Sequence, residues 1–220
     1  MLRTLKNLCL LNGVSGSEEE VREYIKSQAL KYTDDVKTDL MGNLIVVKHA
    51  GNGGTTADAS CDSQKCTADN CDATACAADR LPKLMIAAHM DEVGFMVCDI
   101  TNEGYLKFEP VGGIDPRVVF NRRVWVGAKR IPGVTGLTAI HQTPEEQRSE
   151  IPGWTSMYID IGARTREEAA ALVEVGDPIA FYSDFARFGK GRGFIKAKAI
   201  DDRFGCAVML KLLERTCQWT

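Results

Sequence analysis

The sequence has no apolar run approaching the ~20 residues that a membrane-spanning helix needs, so no membrane span is expected. It lacks an excess of either charge. Lys and Arg number 27 against 30 Asp and Glu, a net charge of −3 at pH 7. That near balance gives no electrostatic reason to expect nucleic acid or an anionic lipid surface as partner. A secretory leader is not expected either. Lys6 and Asn7 interrupt the short apolar stretch at the N-terminus, and no small-residue cleavage site follows. A cytoplasmic location is the resulting expectation. The eight cysteines include no C-x-x-C pair, which removes a zinc knuckle.

Cys9, Cys98, Cys206 and Cys217 are scattered in apolar surroundings and read as small hydrophobes. Cys61, Cys66, Cys71 and Cys76 recur every five residues inside a segment, 51–80, that has no Val, Ile, Leu, Met, Phe, Tyr or Trp. Such a segment cannot bury enough apolar surface to offset its ordering entropy. It reads as a low-complexity insertion between two strands. Thiolate binding of a soft metal is a weaker reading of it.

What is present fits an ordinary globular chain of 220 residues, 45% hydrophobic, large enough for a real core. Residues 1–50 read as two helices and two strands. Ser17 with Glu20 forms a capping-box pattern, and Val21, Tyr24, Ile25 and Ala29 fall on one helical face. Leu84–Ala88 reads as a short buried strand ending at His89. Residues 95–183 are strand-rich with Gly and Pro turns, interrupted by one helix from Thr165 to Val175 and a polar loop over 141–153. Phe194–Ile200 reads as a strand, and Cys206, Met209, Leu210, Leu213 and Cys217 as one face of a final helix.

Two acidic motifs sit where strands run out. His89-Met90-Asp91 pairs an imidazole, a zinc or cobalt ligand type, with a carboxylate able to fix its tautomer. Asp201-Asp202-Arg203 offers a carboxylate able to bridge two cations. Each is a weak signal alone. The bland alternatives are a satisfied strand-end histidine, and a helix-capping Asp bridged to Arg203. His49 and His141 have no spaced partner and read as surface histidines.

Together the blocks Ala88-His89-Met90-Asp91-Glu92-Val93-Gly94-Phe95 and Lys198-Ala199-Ile200-Asp201-Asp202-Arg203-Phe204-Gly205-Cys206 resemble the M42 family of metallo-aminopeptidases. Three further blocks match in order: Gly13 to Glu20, Asp39 to Leu44, and Tyr158 to Ala163 leading to Val175-Gly176-Asp177-Pro178. The resemblance implies an α/β fold. Residues 1–94 and 184–220 would form a mixed-sheet, zinc-peptidase-like catalytic domain, and 95–183 an inserted β-rich domain for dimerisation and assembly. It implies two divalent metal ions, zinc or cobalt. His89 would bind one, Asp201 would bridge both, Asp91 would orient His89, and Asp202 would follow Asp201 through a cis peptide bond. It implies peptide substrates and a homo-oligomer, with dimers building to a dodecamer. The family's general-base Glu, its neighbouring Glu ligand and later Asp and His ligands have no counterpart. Glu145-Glu146 and Glu167-Glu168 are misplaced, and Glu92 is not the base. The chain therefore reads as the N-terminal part of a two-metal aminopeptidase. The alternative is an inactive subunit that only assembles through its β-rich domain. A glucan hydrolase is disfavoured, because nothing suggests two carboxylates flanking a glycosidic bond.

Overall fold

The structure is a computed structural model that describes residues 1–49, 84–138, 145, 151–191 and 193–216. The expected insertion with Cys61–Cys76, together with His141, Glu146, Cys217 and most of the 141–153 loop, lies outside the described residues. The chain order is α1 (Leu2–Leu10), α2 (Glu19–Ala29), β1 (Val36–Thr38), β2 (Leu44–Val46), β3 (Gly94–Ile100), β4 (Leu106–Val111), β5 (Arg123–Val126), β6 (Ile131–Leu137), β7 (Met157–Asp160), α3 (Arg166–Ala170), β8 (Pro178–Phe181), β9 (Ala186–Phe188), β10 (Phe194–Lys196) and α4 (Ile200–Thr216).

Helices and hairpins make one lobe. In α1, Leu5, Leu8 and Cys9 recur at helical spacing and are buried with Val21 of α2 and Cys206 and Ala207 of α4. Tyr24, Ile25, Met90, Phe185 and Ile195 pack around them. β1 and β2 form an antiparallel hairpin, and so do β9 and β10. The β1–β2 turn is held by Asp39, whose carboxylate accepts hydrogen bonds from the backbone N–H groups of Met41 and Asn43.

The strand-rich block closes on itself. Its six strands form a barrel in the order β3-β4-β7-β6-β5-β8, every neighbouring pair antiparallel. Alternate residues Phe95, Val97, Leu106, Phe108, Val124, Val126, Met157, Ile159 and Ile179 point into a common core. A register shift between Val97 and Asp99 bends β3 at Cys98, as closure of a small barrel requires.

Several expected elements differ. Ser17 does not cap α2. Glu18 occupies the cap position, and Glu20 is drawn away to the backbone N–H of Asn12 (3.0 Å) and to the Arg130 guanidinium. The expected Thr165–Val175 helix stops at Ala170, because the Asp177 carboxylate takes the Glu174 N–H (2.9 Å) and turns the chain towards β8. Its start is as expected, with Thr165 accepting from Glu168 N (3.3 Å). Thr165→Ala is expected to lower unfolding free energy by about 1 kcal/mol, read by urea denaturation.

Leu84–Ala88 forms no strand among the described residues. Leu84 and Met85 are 84% and 90% exposed, and no described strand lies beside them. Every named ladder is antiparallel, and among the described residues the parallel component expected of a mixed sheet is confined to an isolated Val14–Glu92 bridge. β10 ends at Lys196, since Ala199 adopts a left-handed φ of 51° that breaks extended chain before α4. β6 falls within the strand-rich stretch expected over 95–183, although Pro132, Gly133 and Gly136 disfavour a strand locally. Gly136 lies under the Tyr158 ring, where an added Cβ would meet ring atoms at 2.4 Å. No described helix is long and apolar enough to cross a membrane.

Candidate metal centre

Three segments of the helical lobe converge at one exposed rim. The Gly13–Ser15 loop after α1 runs beside the chain at Glu92, with Glu92 N–H donating to Gly13 O (2.8 Å) and Ser15 N–H to Glu92 O (3.3 Å). The third segment leads from β10 through Lys198 to the start of α4.

His89 and Asp201, 112 residues apart in sequence, meet at 3.2 Å between Nε2 and Oδ1. The other ring nitrogen, Nδ1, lies 2.9 Å from Asp91 Oδ1. The Ser15 hydroxyl donates to Asp91 Oδ2 at 2.5 Å. The result is a relay of Ser15, Asp91, His89 and Asp201 with its outer end open: the His89 and Asp201 side chains are 54% and 96% exposed. Burial disfavours the imidazolium, but hydrogen bonds to Asp201 and Asp91 and their charges outweigh it and raise the His89 pKa. The Ser15 hydrogen bond, with help from His89, holds Asp91 below the usual carboxylate range against its desolvation.

Asp202 has a different environment. The Asp201–Asp202 peptide is cis, and the helical backbone of α4 is interrupted at both residues. Asp202 Oδ1 accepts from Gly205 N–H (2.9 Å), which caps the helix that follows. Arg203 forms no bridge to Asp201 or Asp202 at salt-bridge distance. It is fully buried, donating Nη1 to Leu8 O at 2.9 Å, while Nε and Nη2 have no hydrogen-bond partner among the described residues.

Behind the rim lies a buried ion pair that sequence reasoning missed. Lys198 Nζ donates to Glu92 Oε1 (2.5 Å) and to Asn12 Oδ1 (2.9 Å), and the same Glu92 oxygen accepts from Gly13 N–H (3.1 Å). Burial pushes the Lys198 ammonium below its usual pKa, with Glu92 opposing. Ser15, too, had no assigned role. The available signal was that Glu92 and Lys198 stand inside the same two blocks as His89 and Asp201. Cys206 donates to His89 O (3.4 Å), and burial pushes its thiol up to about 11, so it is a packing group and not a thiolate.

As a donor set, His89 Nε2 and the Asp201 carboxylate suit zinc or cobalt in type, and a carboxylate on Nδ1 is the usual orienting partner of a metal-bound histidine. In number they fall short of the three or four protein ligands of a stable zinc site. Among the described residues no group of three or more His, Cys, Asp or Glu is placed to hold a metal ion. The residues present thus fit part of a metal's shell. His49 pairs with Asp35 at the hairpin (3.4 Å), far along the chain from this rim.

Comparison with known proteins follows the same lines. A putative aminopeptidase of Acetivibrio thermocellus is 36% identical over 214 residues, covering 97% of this chain and 53% of that protein. Among solved structures, a TET aminopeptidase from the marine sediment archaeon Thaumarchaeota archaeon SCGC AB-539-E09 superposes with a TM-score of 0.77 at 31% identity, over 99% of this chain and 54% of the other. The Pyrococcus horikoshii TET1 peptidase, described as assembling into a tetrahedron or a large octahedral shell, gives 0.74 at 31% identity, over 97% and 56%. The chain spans about half the length of the curated relatives it matches. The model of the M42 glutamyl aminopeptidase family matches residues 70–219. The chain belongs to that family.

Proposed function

We propose that this chain carries part of the active centre of a two-metal aminopeptidase that removes N-terminal residues from peptides. The observation that supports it most is the His89 ring held between Asp91 and Asp201 at an open rim. His89 Nε2 and the Asp201 carboxylate would hold divalent ions, zinc or cobalt. Such ions lower the pKa of a bound water and polarise a carbonyl. Asp91 keeps the Nδ1 proton and so leaves the Nε2 lone pair free to bind. Ser15 in turn fixes Asp91, and Asp202 secures the helix start beside Asp201. The setting proposed for it is cytoplasmic. Residues 95–183 would serve homo-oligomer assembly, in line with the shells described for the TET relative.

A second reading, a subunit that assembles without catalysis, is favoured by the short donor set among the described residues. Calorimetric titration with Zn²⁺ and Co²⁺, followed by a peptide-cleavage assay, separates the two. Metal binding is expected to weaken about 10–100-fold in Asp91→Asn, and to be lost in His89→Ala. Turnover by the metal-loaded chain selects the peptidase; binding without turnover selects the inert subunit. If His89→Ala binds both ions as the unsubstituted chain does, the metal-centre reading fails.

A further inference from the structure

The buried Glu92–Lys198 pair touches every segment that contributes to the rim. Glu92 lies three residues after His89 and directly after Asp91; Lys198 lies three residues before Asp201. Their side chains are only 5% and 7% exposed, and their contact spans 106 residues of sequence. The same two groups reach the loop that carries Ser15, through Gly13 N–H and Asn12 Oδ1. Between Lys198 and Asp201 the chain turns through Ala199 in its left-handed conformation, so anchoring Lys198 fixes where that short arm begins. We propose that Glu92 and Lys198 are positioning residues, whose ion pair sets the separation of the His89 imidazole from the Asp201 carboxylate.

A buried charge pair is weak evidence for stability, because two apolar groups often do as well. Its distinguishing property is directionality. An ammonium shared between Glu92 Oε1 and Asn12 Oδ1 tolerates little displacement, whereas a methyl–methyl contact can slide. The purpose assigned to this geometry rests on the reading of His89 and Asp201 as metal donors; the geometry itself does not.

The test uses the full chain and two independent measurements. Imidazole ¹⁵N shifts of His89, recorded without metal, report whether Nε2 still faces Asp201. Glu92→Gln, Lys198→Met and the charge-free pair Glu92→Gln/Lys198→Met are compared with Asp201→Ala as reference and Lys211→Met as control. The double variant removes both members of the pair together and keeps the comparison available where a single variant fails to fold. The positioning variants are expected to move the His89 ring shifts to those of Asp201→Ala, with dispersed amide spectra retained; Lys211→Met is expected to leave them unchanged. Wild-type ring shifts in the folded double variant overturn the proposal. Co²⁺ titration of the same proteins is expected to show binding weakened by at least about tenfold. Absence of Co²⁺ binding by the unsubstituted chain removes the metal reading instead, and the ring shifts still decide the positioning role.

Discussion

Phe95→Ala lowers the free energy of unfolding by about 3–5 kcal/mol, the range for deleting a fully buried aromatic ring. Phe95 has no exposed surface, and its ring centroid lies 4.8 Å from that of Phe108, 5.1 Å from Phe181 and 6.0 Å from Trp154. It therefore joins β3 to its two neighbours, β4 and β8, and to the turn before β7. Ladders hold the backbone on both sides, so the neighbouring rings cannot collapse far into the space left behind. Urea denaturation followed by tryptophan fluorescence measures the loss, with Trp154 as a reporter in contact. A loss below about 1 kcal/mol would mean that the barrel core repacks freely, contrary to the interlocked ring geometry. Phe95→Leu retains most of the volume and is expected to cost markedly less.

Arg203→Ala is the second large effect, about 3–5 kcal/mol. Two losses combine. The buried stem leaves a void beneath Gly13, whose position lies so close to the guanidinium that an added Cβ would meet Nη2 at 2.7 Å. The Leu8 carbonyl also loses its donor, and an orphaned buried acceptor costs about 1–3 kcal/mol. Arg203→Met separates the contributions. It keeps most of the stem, and it removes the Nε and Nη2 groups, which have no hydrogen-bond partner among the described residues. Its cost is expected to be no more than about 2 kcal/mol. Equal losses for Ala and Met, by the same urea measurement, would show that stem packing contributes little.

The parts of the fold legible in sequence were those fixed by local pattern. β3, β5 and β8 follow from β-branched and aromatic runs, and α2 from apolar residues at helical spacing. The convergence of His89 and Asp201 was legible for another reason. Two short blocks matched a family pattern, and the pattern carried a long-range pairing that neither block contains. Closure of the barrel had no such carrier. β6 hides its strand character behind Pro132 and two glycines, whose value appears only when Ile159 and Tyr158 of β7 are laid against them. Leu84–Ala88 misled in the opposite sense. An apolar run states that burial is favourable but does not supply the covering strand. The Glu92–Lys198 pair was not legible because each residue stands among other charged residues, and nothing local states that these two meet across 106 positions.

The ring of strands has a consequence for recognition. A sheet with a first and a last member presents unpaired main-chain groups along its flanks, and another chain can join by continuing the ladder. The β3–β8 pairing removes those flanks. Any molecule approaching this half of the protein sideways meets a cylinder of side chains, and its selectivity must come from their shapes and charges. Evolution can then alter such contacts one substitution at a time, leaving the hydrogen-bonded wall beneath them untouched.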